Sequence, residues 1–262
     1  MQSSNHAAIG GKPRHLGGWR KDPPDHRDRA LDVSALLSAA PLPPWIDLST
    51  ICSPVEDQGY LGSCVANSST SAMEALLKKT NRPLLNFSRL FVYYYTRKID
   101  RVPSSEDSGC TIRSAMKCLS YFGVAMESLW PYEEEKFSVA PSYTAIKDAK
   151  THQILKYYRC PNLSSTKRSL AQGFTIVGGF SVPESMMSDE CARTGIVKYP
   201  EPTEGFSGGH AIHFVGYNDQ TKMLKFQNSW GTGWGEKGFG YLPYKFVEDG
   251  LSEDFWTIRA EE

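Results

Sequence analysis

Residues 226–236 read Phe226-Gln-Asn-Ser-Trp-Gly-Thr-Gly-Trp-Gly-Glu236, a glycine-rich loop with two tryptophans and a single asparagine, Asn228. The loop follows the strand-like run Met223–Gln227. In one class of enzyme, a catalytic cysteine is followed far downstream in the sequence by a histidine and then an asparagine. Asn228 is therefore a candidate for the last member of such a set, and the sequence upstream supplies candidates for the other two.

The histidine candidate is His210, in Ser207-Gly-Gly-His210-Ala-Ile-His-Phe-Val215. It comes directly after a Gly-Gly bend and stands at the head of an apolar, strand-like run. The second histidine of the run, His213, is interpreted as a structural strand residue.

The cysteine candidate is Cys64, in Gln58-Gly-Tyr-Leu-Gly-Ser-Cys64, where a glycine-rich loop meets helix-forming sequence. Apolar residues between Cys64 and Lys79 recur on one helical face, and Ser63 stands at the predicted helix start. Free N–H groups and the dipole of a helix N-terminus lower the pKa of a thiol placed there. On this stretch alone, a packed free cysteine or half of a disulfide fits as well as a nucleophile. His210 and Asn228 favour the nucleophile.

The three blocks together resemble those of the papain-like cysteine peptidases. Gln-Gly-x-x-Gly-Ser-Cys at 58–64, Gly-Gly-His-Ala at 208–211 and Asn-Ser-Trp-Gly-x-Gly-Trp-Gly at 228–235 occur in the family's order. The likeness runs from about Trp45 to Tyr244, and Ser88-Arg-Leu-Phe-Val-Tyr-Tyr94 looks like the bacterial branch. The resemblance implies an α+β, two-lobed fold with a helical N-terminal lobe and a β-barrel-like C-terminal lobe. The active site would lie in the cleft between the lobes.

The resemblance also implies a role for each block. Cys64 would attack the peptide carbonyl as a thiolate, and His210 would protonate the leaving amine and later activate water. Asn228 would orient the ring of His210, with Trp230 shielding their hydrogen bond from water. The side chain of Gln58 and the backbone N–H of Cys64 would form the oxyanion hole, although an ordinary loop glutamine is the alternative interpretation of Gln58.

The function implied is that of a cysteine endopeptidase acting on protein or peptide substrates, with no metal or organic cofactor. Acyl transfer to an amine by the same residues is one alternative, and a catalytically silent binding module with this fold is another. The presence of Gln58, Cys64, His210 and Asn228 argues against the silent module.

The chain departs from the family pattern at several positions. Val65 stands where tryptophan is usual, and Leu61 replaces a cysteine that normally forms a disulfide. Cys110 is thereby left without its usual partner, and Thr111 and Ile112 replace the glycines that line the non-primed side of the cleft.

Two further features bear on substrate binding. The family's main non-primed pocket would be lined here by Gly208, Gly209 and the pair Gly178-Gly179, which favours a roomy pocket for a bulky apolar residue. Trp234 would be a wall of the primed subsites, a packing residue, or both.

Bulk properties exclude some classes of function. The 262 residues carry 29 basic and 29 acidic side chains, so no global charge is available to hold nucleic acid or an anionic membrane. No stretch is long and apolar enough for a membrane span, and the first residues lack the apolar core of a secretory signal. We expect a monomer, cytoplasmic or exported by another route, with mostly free thiols among its six cysteines.

The chain divides into an arm and a catalytic domain. Residues 1–40 are rich in glycine, proline and charge, and are expected to form an arm or pro-segment that covers the cleft, a disordered leader being the alternative. Residues 41–262 would form the catalytic domain, mainly helical over about 50–130 and mainly β over about 131–250. Helices are predicted from Cys64, Ser88 and Thr111, and strands near Val177, His213, Phe226, Tyr241 and Trp256.

Overall fold

The computed structural model describes residues 6–9, 12–32, 41–154 and 156–260. Parts of the predicted arm, namely residues 1–5, 10–11 and 33–40, lie outside the described residues.

Three helices form the main regular structure of the first half of the chain. They are α1 (Cys64–Lys79), α2 (Arg89–Ile99) and α3 (Ile112–Tyr121), at the three places the apolar spacing predicts. Side chains of Ser88 and Thr111 cap α2 and α3 by accepting hydrogen bonds from the backbone N–H three residues on. Ser63 occupies the corresponding position before α1 without capping it, because its hydroxyl is engaged by Tyr132 and Asn67.

The second half contributes an antiparallel sheet. Its strands, in spatial order, are β4 (Lys156–Arg159), β9 (Ser252–Arg259), β5 (Ile176–Pro183), β6 (Phe206–Asn218), β7 (Met223–Gln227) and β8 (Phe239–Pro243). A seventh strand, β3 (Trp45–Asp47), pairs with β6. The described residues also form the hairpin β1 (His6–Ile9) and β2 (Lys12–His15), and the short α-helices α4 (Tyr143–Ala149), α5 (Leu163–Ala171), α6 (Asp189–Thr194) and α7 (Tyr244–Glu248). Three single-turn 3-10 helices lie at Ser49–Ile51, Glu134–Lys136 and Glu184–Met187.

Two apolar clusters form the core, one on each side of β6. Ala211 faces the cluster built on α1, α2 and α3, whereas Ile212 and Phe214 face the cluster built on the sheet. Strand alternation explains this split, because successive side chains point to opposite faces. Ala145 and Ala149 of α4 pack into the helical cluster, so this lobe draws on sequence beyond the first half of the chain.

The arm contributes to both clusters. Trp19 belongs to the helical cluster, while Leu16 and Leu31 belong to the sheet cluster. In the described part of the chain, no helix combines the length and apolarity that crossing a membrane requires.

Candidate active site

Cys64 is the first residue of α1 and is fully buried. The backbone N–H of Ala211 donates to its Sγ atom at 3.4 Å. Ala211 directly follows His210, so this contact brings the start of α1 against the strand segment that carries the histidine. The sequence places these two elements far apart, and the packing of α1 on β6 brings them together.

His210 is held by the glycine-rich loop after β7. Its Nε2 atom lies 2.8 Å from Oδ1 of Asn228, and both residues are buried. The indole of Trp230 stacks on the imidazole, with ring centroids 4.7 Å apart and ring planes 29° apart. A hydrogen bond shielded from water in this way is stronger than an exposed one, so the ring is held in one orientation.

Strand register explains why Asn228 reaches His210. His213 of β6 pairs with Gln227, the last residue of β7, so the chain leaves the sheet beside the segment that carries His210. Trp234, from the same loop, is buried and packs edge-on against Trp230 with centroids 5.4 Å apart. Of the two roles predicted for Trp234, the contacts described here are those of a packing residue.

Gln58 is also fully buried and is tied to the same loop. Its Nε2 atom donates to the Leu61 carbonyl at 2.9 Å, and its Oε1 atom accepts from Ser229 Oγ at 2.6 Å. The backbone N–H of Gln58 donates to the Ser229 carbonyl at 2.9 Å. One amide hydrogen of Gln58 is used by Leu61, and the second is available to another acceptor.

Residues 17–20 of the arm run between the two lobes at this point. Trp19 N–H donates to the Gly209 carbonyl at 3.2 Å, on the β6 side. On the other side, Cys110 N–H donates to the Gly18 carbonyl and Arg20 N–H donates to the Cys110 carbonyl, both at 3.0 Å. The pairing of Trp19 with Cys110 is parallel, as is that of Gly17 with Gly209.

Gly18 lies directly against the thiol. A Cβ atom built on Gly18 would stand 2.6 Å from Cys64 Sγ and 2.8 Å from the Gly62 carbonyl oxygen. Side chains do not tolerate such distances, so only a glycine fits between the thiol and the loop before α1.

Trp19 packs against Gly179 and Gly209, two of the four glycines that the sequence assigns to the main non-primed pocket, whereas Gly178 faces Phe214 and Phe255. A Cβ atom on Gly179 would come within 2.0 Å of its indole, and one on Gly209 within 2.9 Å. Gly208 has φ +146° and lies against the Leu16 carbonyl, where a Cβ atom would stand 2.1 Å from the oxygen. Glycines at 179, 208 and 209 therefore make the room that the arm occupies.

Thr111 and Ile112 lie near this cleft without pairing with the arm. Cys110 supplies the backbone hydrogen bonds on that wall. Ile112 is fully buried in the helical cluster, and Thr111 directs its hydroxyl to Asp100 at 2.9 Å. Asp100 and Ser229 carry contacts of the site that the sequence analysis does not single out, whereas Cys110 is noted there only for its missing disulfide partner. Of these two, Ser229 has a signal in the sequence, its place beside Asn228.

Burial raises the pKa of the Cys64 thiol to about 12, although N–H groups of Ala211 and Val65 act in the opposite direction. The helix N-terminus thus lowers the pKa of the thiol as expected, but burial raises it by more, because the fully buried sulfur is removed from water. All six cysteines are free thiols, Cys110 among them. Within residues 6–9, 12–32, 41–154 and 156–260, no group of three His, Cys, Asp or Glu side chains could hold a metal ion.

Comparison with known proteins adds independent evidence. The family model for papain family cysteine proteases matches residues 42–250. The chain is 42% identical over 214 residues to the uncharacterised peptidase C1-like protein L477 of Acanthamoeba polyphaga mimivirus, covering 78% of this chain and 68% of that protein. It is 31% identical over 198 residues to cathepsin K of Gallus gallus, where the match covers 72% of this chain and about half, 54%, of the cathepsin.

Among solved structures, the chain is similar to xylellain, a cysteine protease from Xylella fastidiosa. The two share 33% sequence identity with a TM-score of 0.86, over 94% of this chain and 96% of xylellain. The predicted α+β fold and the resemblance to the bacterial branch are confirmed. The chain therefore belongs to the papain family of cysteine proteases and is a papain-like cysteine peptidase.

Proposed function

We propose that the chain is a cysteine endopeptidase that uses Cys64, His210 and Asn228, and that residues 12–32 hold it inactive. The observation that carries the proposal is the meeting of three elements at one buried point. They are the N-terminus of α1 with Cys64, the His210–Asn228 hydrogen bond at 2.8 Å, and the backbone of Gly18.

The chemistry follows from these groups. With water admitted, His210 would take the thiol proton, giving a thiolate at the helix N-terminus beside an imidazolium. The sulfur would attack the peptide carbonyl carbon, and the oxyanion would be held by the side-chain amide of Gln58 and the backbone N–H of Cys64. His210 would then give its proton to the leaving amine as the C–N bond breaks.

Hydrolysis of the acyl-enzyme completes the cycle. His210 would accept a proton from water as the water oxygen attacks the thioester, and collapse of the second tetrahedral intermediate would release the acid and the thiolate. Asn228 would keep the imidazole ring facing the sulfur through both half-reactions.

The direction of the arm supports inhibition rather than cleavage. From Gly18 at the sulfur, the chain continues C-terminally into the glycine-lined, non-primed side of the cleft. A substrate occupies that side with the residues that precede the attacked carbonyl, so its chain runs the other way. The arm would thus fill the cleft with reversed polarity, and its peptide groups would not be presented for attack.

The test of this function is a change at Gly18. Gly18→Val would add side-chain atoms where a Cβ atom alone stands 2.6 Å from Cys64 Sγ. We expect the arm to be displaced and the turnover of a small peptide substrate to rise by about tenfold or more. Gly233→Ala is the matched control, because a Cβ atom at Gly233 meets nothing within 4 Å. Cys64→Ala should abolish turnover in every background.

Two results would count against the proposal. Equal turnover in the wild type and Gly18→Val would show that the arm does not restrain the enzyme. Turnover that survives Cys64→Ala would remove the cysteine from the mechanism. Adding an amine nucleophile and analysing the products separates hydrolysis from acyl transfer.

A further inference from the structure

Arg20 of the arm follows Trp19 and makes a specific ion pair. Its guanidinium lies 2.9 Å from a carboxylate oxygen of Asp100, directly after α2. The Arg20 side chain is 39% exposed, whereas the Asp100 side chain is only 8% exposed. The partly exposed guanidinium of Arg20 therefore pairs with a carboxylate that is buried in the wall of the cleft.

The Asp100 carboxylate is held rigidly by the start of α3. Its Oδ1 atom accepts from Thr111 Oγ1 at 2.9 Å and from Ser114 Oγ at 2.6 Å. Its Oδ2 atom accepts from the Thr111 backbone N–H at 2.9 Å, in addition to Arg20. These donors are neutral, so they fix the position of the carboxylate without cancelling its charge.

Arg20 supplies the missing positive charge. Among the described residues it is the only cation within ion-pair distance of Asp100. When the arm leaves the cleft, Asp100 loses this cation and keeps its three neutral donors. A largely buried carboxylate without a cation is unfavourable, so the open cleft would favour a ligand that brings a new one.

We propose that Asp100 forms an acidic subsite that recognises a lysine or arginine side chain of the peptide substrate. The inference rests on the peptidase function and arm displacement proposed above, and it adds a residue that determines specificity. In the enzyme with the arm docked, Arg20 occupies the place beside Asp100 that a basic residue of the substrate takes once the arm has left.

The position of that residue in the substrate follows from the arm. Consecutive side chains of an extended chain point to opposite sides. Accordingly, Trp19 enters the pocket at Gly179 and Gly209, and Arg20 turns to Asp100 on the helical lobe. Gly18 lies at the sulfur, Trp19 is one residue away and Arg20 is two residues away. A substrate running in the opposite sense would carry its basic residue third from the scissile bond on the acyl side, just before the residue in the glycine-lined pocket.

The experiment uses three peptides that differ only at this third residue, which is arginine, citrulline or glutamate. Citrulline keeps the shape of arginine and lacks its charge. With the Gly18→Val enzyme, kcat/KM should be about tenfold higher for the arginine peptide than for the citrulline peptide, and lowest for the glutamate peptide. Asp100→Asn in the same background should bring the arginine-to-citrulline ratio close to one. Asp189→Asn, at an exposed acid of α6, is the matched control and should keep the ratio.

A binding measurement separates this inference from the proposed function. Fluorescence anisotropy of labelled peptides with the Cys64→Ala, Gly18→Val protein gives the ratio of Kd values without catalysis, and the arginine peptide should bind about tenfold tighter. Failure of cleavage with this binding preference intact would overturn the function and keep the subsite. Equal kcat/KM and equal Kd for arginine and citrulline peptides would overturn the subsite, as would an unchanged ratio in Asp100→Asn.

Discussion

The hydroxyl of Ser229 bears directly on how Gln58 is presented. The carbonyl oxygen of Leu61 can only accept a hydrogen bond, so the atom of Gln58 that contacts it is the nitrogen. The opposite end of the amide is then the oxygen, which accepts from Ser229 Oγ. Together, these two bonds fix the orientation of the amide that we propose as an oxyanion donor.

Removing the hydroxyl should weaken this orientation. In the Gly18→Val background, Ser229→Ala should lower kcat/KM roughly tenfold. Complete loss of an oxyanion donor lowers kcat by about 10²–10³, and the smaller effect is expected here because the amide of Gln58 is retained. The matched control is Ser69→Ala, since Ser69 is buried and its hydroxyl has no hydrogen-bond partner. Initial rates over a range of peptide concentrations give the measurement, and equal losses in the two variants would speak against a positioning role.

Single residues of the site differ in how far the sequence reveals them. Cys64, His210, Asn228 and Gln58 stand in short blocks whose order is informative, so the sequence alone is enough to propose them. Asp100 stands in no block, because its significance arises from a contact with Arg20, which is 80 positions away in the sequence.

At the scale of elements, the arm is attached through a cluster of acids and bases around Asp22. Asp22 accepts hydrogen bonds from Arg113 N–H at 3.0 Å and from Trp256 Nε1 at 2.8 Å. Its own N–H donates to an Asp254 carboxylate oxygen at 2.8 Å. Burial, with a smaller contribution from the Asp254 carboxylate, raises the pKa of Asp22 to about 6. Arg159 pairs in turn with Asp254 at 2.9 Å.

This raised pKa predicts that the binding of the arm in the cleft, called docking below, depends on pH. The carboxyl of Asp22 in a released arm titrates near its ordinary value of 3.8, so the docked arm binds more protons between about pH 4 and 6. The contribution of Asp22 therefore favours docking in acid and is lost as pH rises through that window, with no further change above it. We expect the rate of Cys64 alkylation by an epoxide, divided by the rate for Gly18→Val, to rise roughly twentyfold from pH 4.5 to 6.5.

Dividing by the Gly18→Val rate removes the pH dependence of the cysteine and histidine themselves. Asp22→Asn provides the control, because it keeps the size of the side chain and cannot titrate. The expected ratio for this variant is flat over the same range. A wild-type ratio that is equally flat would contradict the assignment.

Elements differ in how far the sequence predicts them. α1 and β7 have the predicted bounds, because their apolar residues recur with the period of a helix and of a strand. The sequence does not predict β4 and α5, since their exposed and polar residues follow neither period clearly. The path of residues 16–22 has no periodic signal, because it is fixed by contacts with distant segments such as Gly209 and Arg113.

For the molecule as a whole, the arm is a part of the folded core. Leu16 and Leu31 lie in the sheet cluster and Trp19 lies in the helical cluster, and all three side chains are buried. Asp28 adds ion pairs to Arg113 of α3 at 2.6 Å and to Arg159 of β4 at 3.1 Å. The arm therefore contacts both lobes through apolar and charged side chains.

Deleting residues 1–40 should have two effects at once. Turnover of a small peptide should rise because the cleft is open, and Tm should fall by several degrees because buried apolar contacts are lost. Gly18→Val leaves Leu31 and Asp28 in the chain, so its Tm should fall less. Thermal melts and initial rates on the same preparations measure both effects. A deletion that changed neither would indicate a leader with no regulatory part.

The placement of Leu16 and Trp19 in different clusters has a consequence for inhibitor design. A compound that only caps the sulfur would leave apolar surface of both lobes in contact with water. A compound that also reaches the two sites that these side chains vacate would recover that burial on both sides. With the inhibitory role that we propose for it, the arm gives the shape of an effective inhibitor. Such a compound would have no side chain at the sulfur, an indole-sized group against Gly179, and an apolar group at the site of Leu16.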